Sequence, residues 1–306
     1  MSKTAIIMSS YNGRAYIKDQ VDSLLNQTCP DIKIYIRDDG SSDGTYQLLQ
    51  ELYGHEKRLI LLPDDHKNLG FGASFSAVMS YALASDNDFD YFAFCDQDDY
   101  WEKDKIATAQ KAMDAMDESR PGLFACNYYI CDSDLKIQGT FCDSDPMDGV
   151  TFENLAFEGV FPGFTLVINR KLAQMAFSTN FSDIYYHDKW VSLIALGTGG
   201  QIVYEKKPLA RYRRHTSAAS STDLGLIAKL KWRIDKVLKG DFCLRTLNMI
   251  RCYRNSFYDI SSPEIRDFLD VFTEKSRLKK LTFKKRLRRS LSGELMLRLI
   301  ILMGKI

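Results

Sequence analysis

From residue 5 to residue 95 the chain repeats one order of events: a short apolar run, a polar loop, then a stretch of helical period. Apolar runs at residues 5–8, 32–36, 59–62 and 91–95 read as strands, and Ile32, Ile34 and Ile36 alternate as strand residues do. Between them, Ile17, Val21, Leu24 and Leu25 share one helical face, and helices are expected at about 45–52 and 73–84. Strand, loop and helix in this order confine the chain to right-handed βαβ units and a parallel sheet. The fold class is therefore α/β, with a mostly parallel central sheet that is Rossmann-like in its N-terminal half.

Three of these strands end in loops suited to a ligand, and open α/β sheets bind ligands at the carboxyl ends of their strands. The loops are Ser9-Ser10-Tyr11-Asn12-Gly13, then Arg37-Asp38-Asp39-Gly40-Ser41-Ser42-Asp43-Gly44-Thr45, then Asp96-Gln97-Asp98-Asp99-Tyr100-Trp101. Asp96, Asp98 and Asp99 repel one another unless one is protonated or a cation lies between them. A hard cation such as Mg²⁺ or Mn²⁺ takes carboxylates together with substrate phosphates. A solvated acidic loop is the competing account of the same three residues.

Beyond Trp101 the period loosens. A helix is expected at 103–116, strands at 123–130, 164–168 and 201–204, and a helix within 182–196, with loops or a hairpin over 131–150. The remainder, from residue 224, reads as helical only. Residues 223–306 carry 20 Lys+Arg against 9 Asp+Glu, a net of +11, which leaves 21 and 31 for residues 1–222, a net of −10. This asymmetry predicts two parts with different partners: an acidic body over 1–222 and a basic helical extension over 223–306, a candidate for membrane association or oligomerisation. Residues 275–289 hold nine Lys or Arg and no acid, and precede the apolar residues 295–303. That pairing suits a peripheral anchor on anionic lipid, and equally a plain solvated helix face. No nucleic-acid module accompanies the basic run.

Seven cysteines, odd in number and without a Cys-x-x-Cys pair, point to reduced thiols and a cytoplasmic protein. No signal peptide and no apolar window of ~18–20 residues is expected to target or span a membrane. A nicotinamide dehydrogenase is disfavoured because Gly-x-Gly-x-x-Gly is absent after the first strand. A nucleotidyltransferase would need a Gly-rich basic loop there, and a phosphatase with an Asp nucleophile usually places Asp-x-Asp after its first strand.

The three loops, with His187-Asp188-Lys189-Trp190 and Tyr212-Arg213-Arg214-His215, resemble an inverting family 2 glycosyltransferase of the GT-A type, most closely its bacterial rhamnosyltransferase-like branch. The resemblance covers about the first 220 residues. It implies that Ser9, Tyr11, Asn12 and Asp39 hold the nucleoside, Asp39 accepting the base's imide N–H, so that the donor is a UDP- or dTDP-sugar. Asp39 is otherwise a turn residue, and Asn68 and Gly70 either approach the nucleotide or only shape a helix entry. The resemblance gives Asp96 to the ribose or metal-bound phosphate, Asp98 to the metal, and His215 to a further metal bond, with Mn²⁺ or Mg²⁺ as cofactor. Asp99 either ligates or orients.

Asp188 is implied as the general base, with His187 as an alternative and helix N-capping as its structural account. Gly163 and Phe164 resemble the segment closing over donor and acceptor, a region to which Trp101, Trp190 and Arg213 are also assigned. Glu-Asp is the commoner pair at the base, and the branch shares His-Asp. The implied reaction moves a sugar, dTDP-L-rhamnose being the first choice of donor and a UDP-hexose the second. The acceptor is a hydroxyl of a cell-surface polysaccharide or lipid-linked glycan, at the inner face of the membrane. A catalytically silent scaffold is the remaining alternative.

Overall fold

The computed structural model describes residues 2–85, 88–178, 184–215 and 241–306. Contacts divide the chain into one unit of residues 1–147 and 161–214, and another of 148–160 and 215–306. The boundary expected at 222 lies outside the described residues. Residues 148–160, expected within the first domain, belong to the second unit.

In the first unit, β1 (Thr4–Ser10), α1 (Ile17–Leu25), β2 (Ile32–Asp38), α2 (Thr45–Tyr53), β3 (Leu59–Leu61), α3 (Phe71–Ser85) and β4 (Tyr91–Cys95) follow the expected order. β1 pairs in parallel with β2 and β4, and β2 with β3. Met8 is level with both Ile36 and Cys95, so the loops after β1, β2 and β4 leave the sheet at one edge. Ile6, Ile7, Met8, Ile34, Ile36, Phe92 and Phe94 are all fully buried, which explains continuous apolar runs in place of alternation. Each such side chain contributes roughly 1.5–3 kcal/mol by leaving water.

The sheet continues through β5 (Tyr100–Trp101), β6 (Gly122–Cys131), β7 (Ile137–Thr140), β8 (Leu166–Asn169) and β9 (Gln201–Arg213). The strand order is β3-β2-β1-β4-β8-β6-β9-β5, with β7 on β6, and it is antiparallel where β8 meets β4 and β6. The hairpin allowed for over 131–150 is the β6–β7 pair. Residues 201–204 form only the start of β9, which runs on to Arg213. Pro208 is tolerated because the register against β6 slips between Cys126 and Tyr128, where the missing N–H interrupts no regular ladder. Gly163–Thr165 is a 3-10 turn, and the strand expected from 164 starts at Leu166.

Helices α4 (Lys105–Met113), α6 (Arg170–Phe177) and α7 (His187–Gly197) complete this unit. α6 was not anticipated; its start is marked by Asn169, whose side chain accepts from Leu172 N–H.

The second unit contains α5 (Phe152–Phe157), α8 (Asp241–Phe257), α9 (Pro263–Glu274), α10 (Arg277–Leu281) and α11 (Leu291–Leu302). Its core is aromatic: Phe152 lies 4.8 Å from Tyr253 and Phe157 5.2 Å from Phe272, ring centre to ring centre. Thr151 and Asn154 close a capping box on α5, and Ser262 with Pro263 starts α9. Ion pairs of Lys285 with Glu153 (2.7 Å) and Arg289 with Glu158 (2.9 Å) tie residues 148–160 to the basic stretch.

Candidate active site

The loops after β1 and β2 are laced together. Asn12 N–H donates to Ser41 Oγ (2.8 Å), Asn12 Oδ1 accepts from Ser42 N–H (2.9 Å), and Gly13 N–H donates to Thr45 Oγ1 (3.0 Å). Asn12 takes φ +48°, which asparagine accepts more readily than most residues. Gln97 joins the third loop to the first, accepting from Tyr11 N–H (2.8 Å) and donating to Tyr11 O (3.0 Å). A Cβ on residue 13 would sit 2.2 Å from Gln97 Oε1, so any larger residue there would push the Gln97 amide off Tyr11. The Tyr11 ring is left 49% exposed beside these loops, as a stacking surface would be.

Asp39 is buried and already engaged. Its carboxylate accepts from Arg37 and from the N–H groups of Leu69 (2.8 Å) and Gly70 (2.9 Å), the latter at φ +81°. Arg37 also donates to Asp65 (2.8 Å), Lys67 O (2.9 Å) and Ser74 Oγ (3.0 Å), and Ser9 Oγ donates to Ser74 Oγ (2.6 Å). Asp39 thus folds the 65–70 loop onto the sheet edge, its Oδ1 accepting two of these bonds and its Oδ2 one. Gly70 is held in this network, whereas Asn68 is exposed.

The third loop concentrates charge. Asp96 and Asp98 are half-buried and Asp99 is buried. Burial, followed by the charges of Asp98 and Asp188, pushes the Asp96 carboxyl up to about 7. Burial together with Asp98 and Asp96 raises Asp99 well above the carboxylate range. Asp99 Oδ1 accepts from Arg213 N–H (3.1 Å), and its Oδ2 is buried without a partner. Beneath the cluster Lys105 is completely buried, its ammonium 3.2 Å from the centre of the Trp101 ring and donating to Phe164 O. Burial lowers Lys105 to about 8, against the opposing pull of Asp99 and Asp96. The raised carboxyls of Asp96 and Asp99 mark an acidic loop crowded and buried, a condition that a divalent cation would relieve. Among the described residues no group of three His, Cys, Asp or Glu side chains is arranged to hold a metal ion, so a cation here would depend on the phosphate oxygens of a bound donor.

Several residues expected around the sugars serve the framework instead. Arg213 is 4% exposed; its guanidinium donates to Asp98 O (2.9 Å), Ser133 O (2.6 Å) and Asp19 (2.9 Å), leaving it no free face for a diphosphate. It is a strut that sets the carbonyl of Asp98. Trp101, Trp190 and Phe164 are all buried, Trp190 donating from Nε1 to Ala176 O (3.0 Å) and Phe164 stacking on Tyr212. His215 is half-buried, two residues past the end of β9, whose Arg211 is level with Tyr100 beside the acidic loop.

Asp188 lies in the first turn of α7; Tyr186 holds the N-cap position, so capping is not Asp188's role. Its Oδ1 accepts from Lys189 N–H (2.7 Å), and burial raises its carboxyl to about 6. His187 is boxed by Phe75, Phe94 and Phe71, with ring centres at 4.2, 4.7 and 5.2 Å, and both its nitrogens are buried without partners. Burial pulls it down to about 3, so the ring is neutral and too weakly basic to replace Asp188. A Cβ on Gly163 would lie 2.5 Å from His187 Nε2, which explains the glycine.

Sequence reasoning missed Lys105, Arg37 and Gln97. Only Lys105 carried a signal: a lone cation beside Ile106 and Ala109 on the buried face of a helix.

Comparison with known proteins agrees with this arrangement. Residues 5–139 match the family described as Glycosyl transferase family 2. The chain is 30% identical over 237 residues to dTDP-rhamnosyl transferase RfbG of Shigella flexneri, covering 73% of this chain and 77% of that one. It is 30% identical over 141 residues to the UDP-Glc:alpha-D-GlcNAc-diphosphoundecaprenol beta-1,3-glucosyltransferase WfaP of Escherichia coli, covering 46% of this chain and 51% of that one. In structure it is similar to residues 1–349 of S. aureus TarS in complex with UDP-GlcNAc, with a TM-score of 0.60 at 16% identity, covering 97% of this chain and 79% of that one. A GT-A sheet, its three interlaced ligand loops and this degree of kinship make the chain a glycosyltransferase belonging to glycosyl transferase family 2.

Proposed function

We propose that the protein transfers L-rhamnose from dTDP-L-rhamnose, with inversion, to a hydroxyl of a bacterial cell-surface polysaccharide or its lipid-linked precursor. The observation that carries this is the 30% identity to a dTDP-rhamnosyl transferase over most of both chains, and it is supported by Asp188 lying close enough to Asp96 to help raise its carboxyl. A donor bound on the β1, β2 and β4 loops would have its leaving diphosphate at the acidic loop and its anomeric carbon toward α7. The Asp39 carboxylate suits the N3–H of thymine or uracil, and Tyr11 offers its exposed ring to the base.

Asp188, ionised above about pH 6, would take the acceptor hydroxyl's proton on the face opposite the leaving group, as inversion requires. Asp98 and Asp96, together with phosphate oxygens of the donor, would hold Mn²⁺ or Mg²⁺, which would supply positive charge for the leaving diphosphate. Lys105, against the Trp101 ring, and Arg213, on Asp98 O, hold the acidic loop from within the fold.

The similarity to RfbG favours a dTDP-rhamnose donor. A UDP-hexose or UDP-N-acetylhexosamine is the second reading, favoured by the UDP-sugars in the descriptions of WfaP and the TarS complex. The diphosphoundecaprenol acceptor in the WfaP description supports a lipid-linked acceptor at the inner membrane face. Among the described residues no helix is long and apolar enough to cross a membrane.

The test is donor turnover over a panel of dTDP- and UDP-sugars with Mn²⁺ or Mg²⁺, and again with EDTA. Metal-dependent release of dTDP from dTDP-L-rhamnose alone is expected. Release of UDP alone would replace the donor, and undiminished turnover by Asp98→Ala would remove the metal role.

A further inference from the structure

In the second unit, α11 presents two different faces. Leu297, Ile300 and Ile301 are buried in the unit's core, while Leu291, Leu295, Leu299 and Leu302 stand 68%, 63%, 54% and 54% exposed. Their spacing of four, four and three places them in one stripe along the helix. Single exposed leucines are ordinary on a protein surface; four aligned on one helix mark a contact surface.

The chemistry around the stripe specifies the partner. Residues 275–306 carry 11 Lys+Arg and one acid, Glu294, a net of +10. Glu294 is buried, and its carboxylate accepts from Leu287 N–H, Arg288 N–H and Arg298 Nε, each at 2.8 Å. No acidic side chain of this stretch therefore reaches the surface. The basic helix α10 is fastened beside α11: Arg298 donates to Leu281 O (2.7 Å) and Lys280 O (3.1 Å), and Arg277 to Leu302 O (3.2 Å). Lys275, Arg277, Lys279 and Lys284 are exposed, and Leu278, 68% exposed, adds an apolar group among them.

We infer that the α10–α11 face is a docking surface for an anionic phospholipid bilayer, the leucine stripe entering the acyl boundary and the lysines and arginines meeting the headgroups. A second copy of this chain is a poorer occupant, because a two-fold contact would bring two such cationic stretches together. The inference deepens the proposed action on a lipid-linked acceptor. Its test reads vesicle binding in place of sugar transfer, so either proposal can fail alone.

The experiment is flotation of the full chain with vesicles of phosphatidylcholine, with and without about one third phosphatidylglycerol. Binding is expected to the anionic vesicles, falling at least about tenfold on phosphatidylcholine alone or in about 0.5 M salt. The double variant Leu295→Glu/Leu299→Glu alters only exposed positions, so it should keep its melting temperature and its metal-dependent hydrolysis of the donor. Its vesicle binding should fall at least about tenfold. Lys279→Ala/Lys284→Ala should weaken binding several-fold and flatten its salt dependence. Wild-type protein that stays unbound, or a leucine variant that floats as well as wild type, overturns the inference. So does a wild-type dimer in sedimentation that the leucine variant converts to monomer, which would assign the face to a second copy.

Discussion

A carboxylate that takes a proton from a sugar hydroxyl must be ionised at working pH without being so well solvated that it is a feeble base. Asp188 meets that condition through burial, which raises it to about 6, in the first turn of α7, where the helix dipole favours its charge. The rate (kcat/KM) should therefore fall on the acid side with a limb near pH 6. Asp188→Asn should cost about 10²- to 10⁴-fold in kcat and abolish that limb. Stability should move the other way. A carboxyl raised in the folded state carries no penalty below its unfolded value near 4, and an increasing one as pH rises toward 6, constant thereafter. Replacing it by the neutral amide should thus stabilise the metal-free protein at pH 7 by about 1–3 kcal/mol and leave it unchanged at pH 3. Thermal melts at the two pH values decide this; equal shifts at both would show that Asp188 sits in ordinary solvation.

At the scale of elements, the 3-10 turn at Gly163–Thr165 and the start of α7 fit because residue 163 has no side chain. A Cβ there meets the His187 ring, which Phe75, Phe94 and Phe71 hold in place. Gly163→Ala should destabilise by about 1–3 kcal/mol, and His187→Ala in the same chain should recover part of that loss, a coupling a double-mutant cycle reads directly. Simple addition of the two losses would separate the turn from the helix. Elements of this first kind were legible from residues alone: β1 through β4 announce themselves by apolar runs, and their loops by Gly, Asn and Asp. Less could be read where tertiary contacts decide. The continuation of β9 past Pro208 depends on a register slip against β6, and α5 is too short for a period to show. The same division runs through the site. Asp39 and Gly70 could be recognised as loop residues, but their hydrogen bond joins positions 31 apart in sequence. Arg213 could be seen as a cation, yet its commitment to Asp98 O, Ser133 O and Asp19 is a fact of the folded chain.

Over the whole molecule, the chain leaves the first unit at residue 148, returns at 161 and leaves again after 214, so the second unit is built from two separate segments. Its smaller segment cannot satisfy itself. Phe152 and Phe157 are 5% and 0% exposed against Tyr253, Phe268 and Phe272, and Glu153 is buried against Lys285. Ending the chain at residue 214 would strip those partners and expose two phenylalanines, each worth roughly 1.5–3 kcal/mol when buried. The first unit's own core, from Ile6 to Ala210, lies entirely within the fragment. The fragment 1–214 should therefore fold but associate through α5, appearing as oligomers in size exclusion and binding a hydrophobic dye. Phe152→Lys and Phe157→Lys together should return it to a monomer that melts cooperatively, whereas in the full chain the same pair should be destabilising. Opposite signs in the two contexts are what an insertion owing its burial to the C-terminal helices requires. A monomeric, dye-free fragment 1–214 would mean that residues 148–160 find another place to bury their aromatic face.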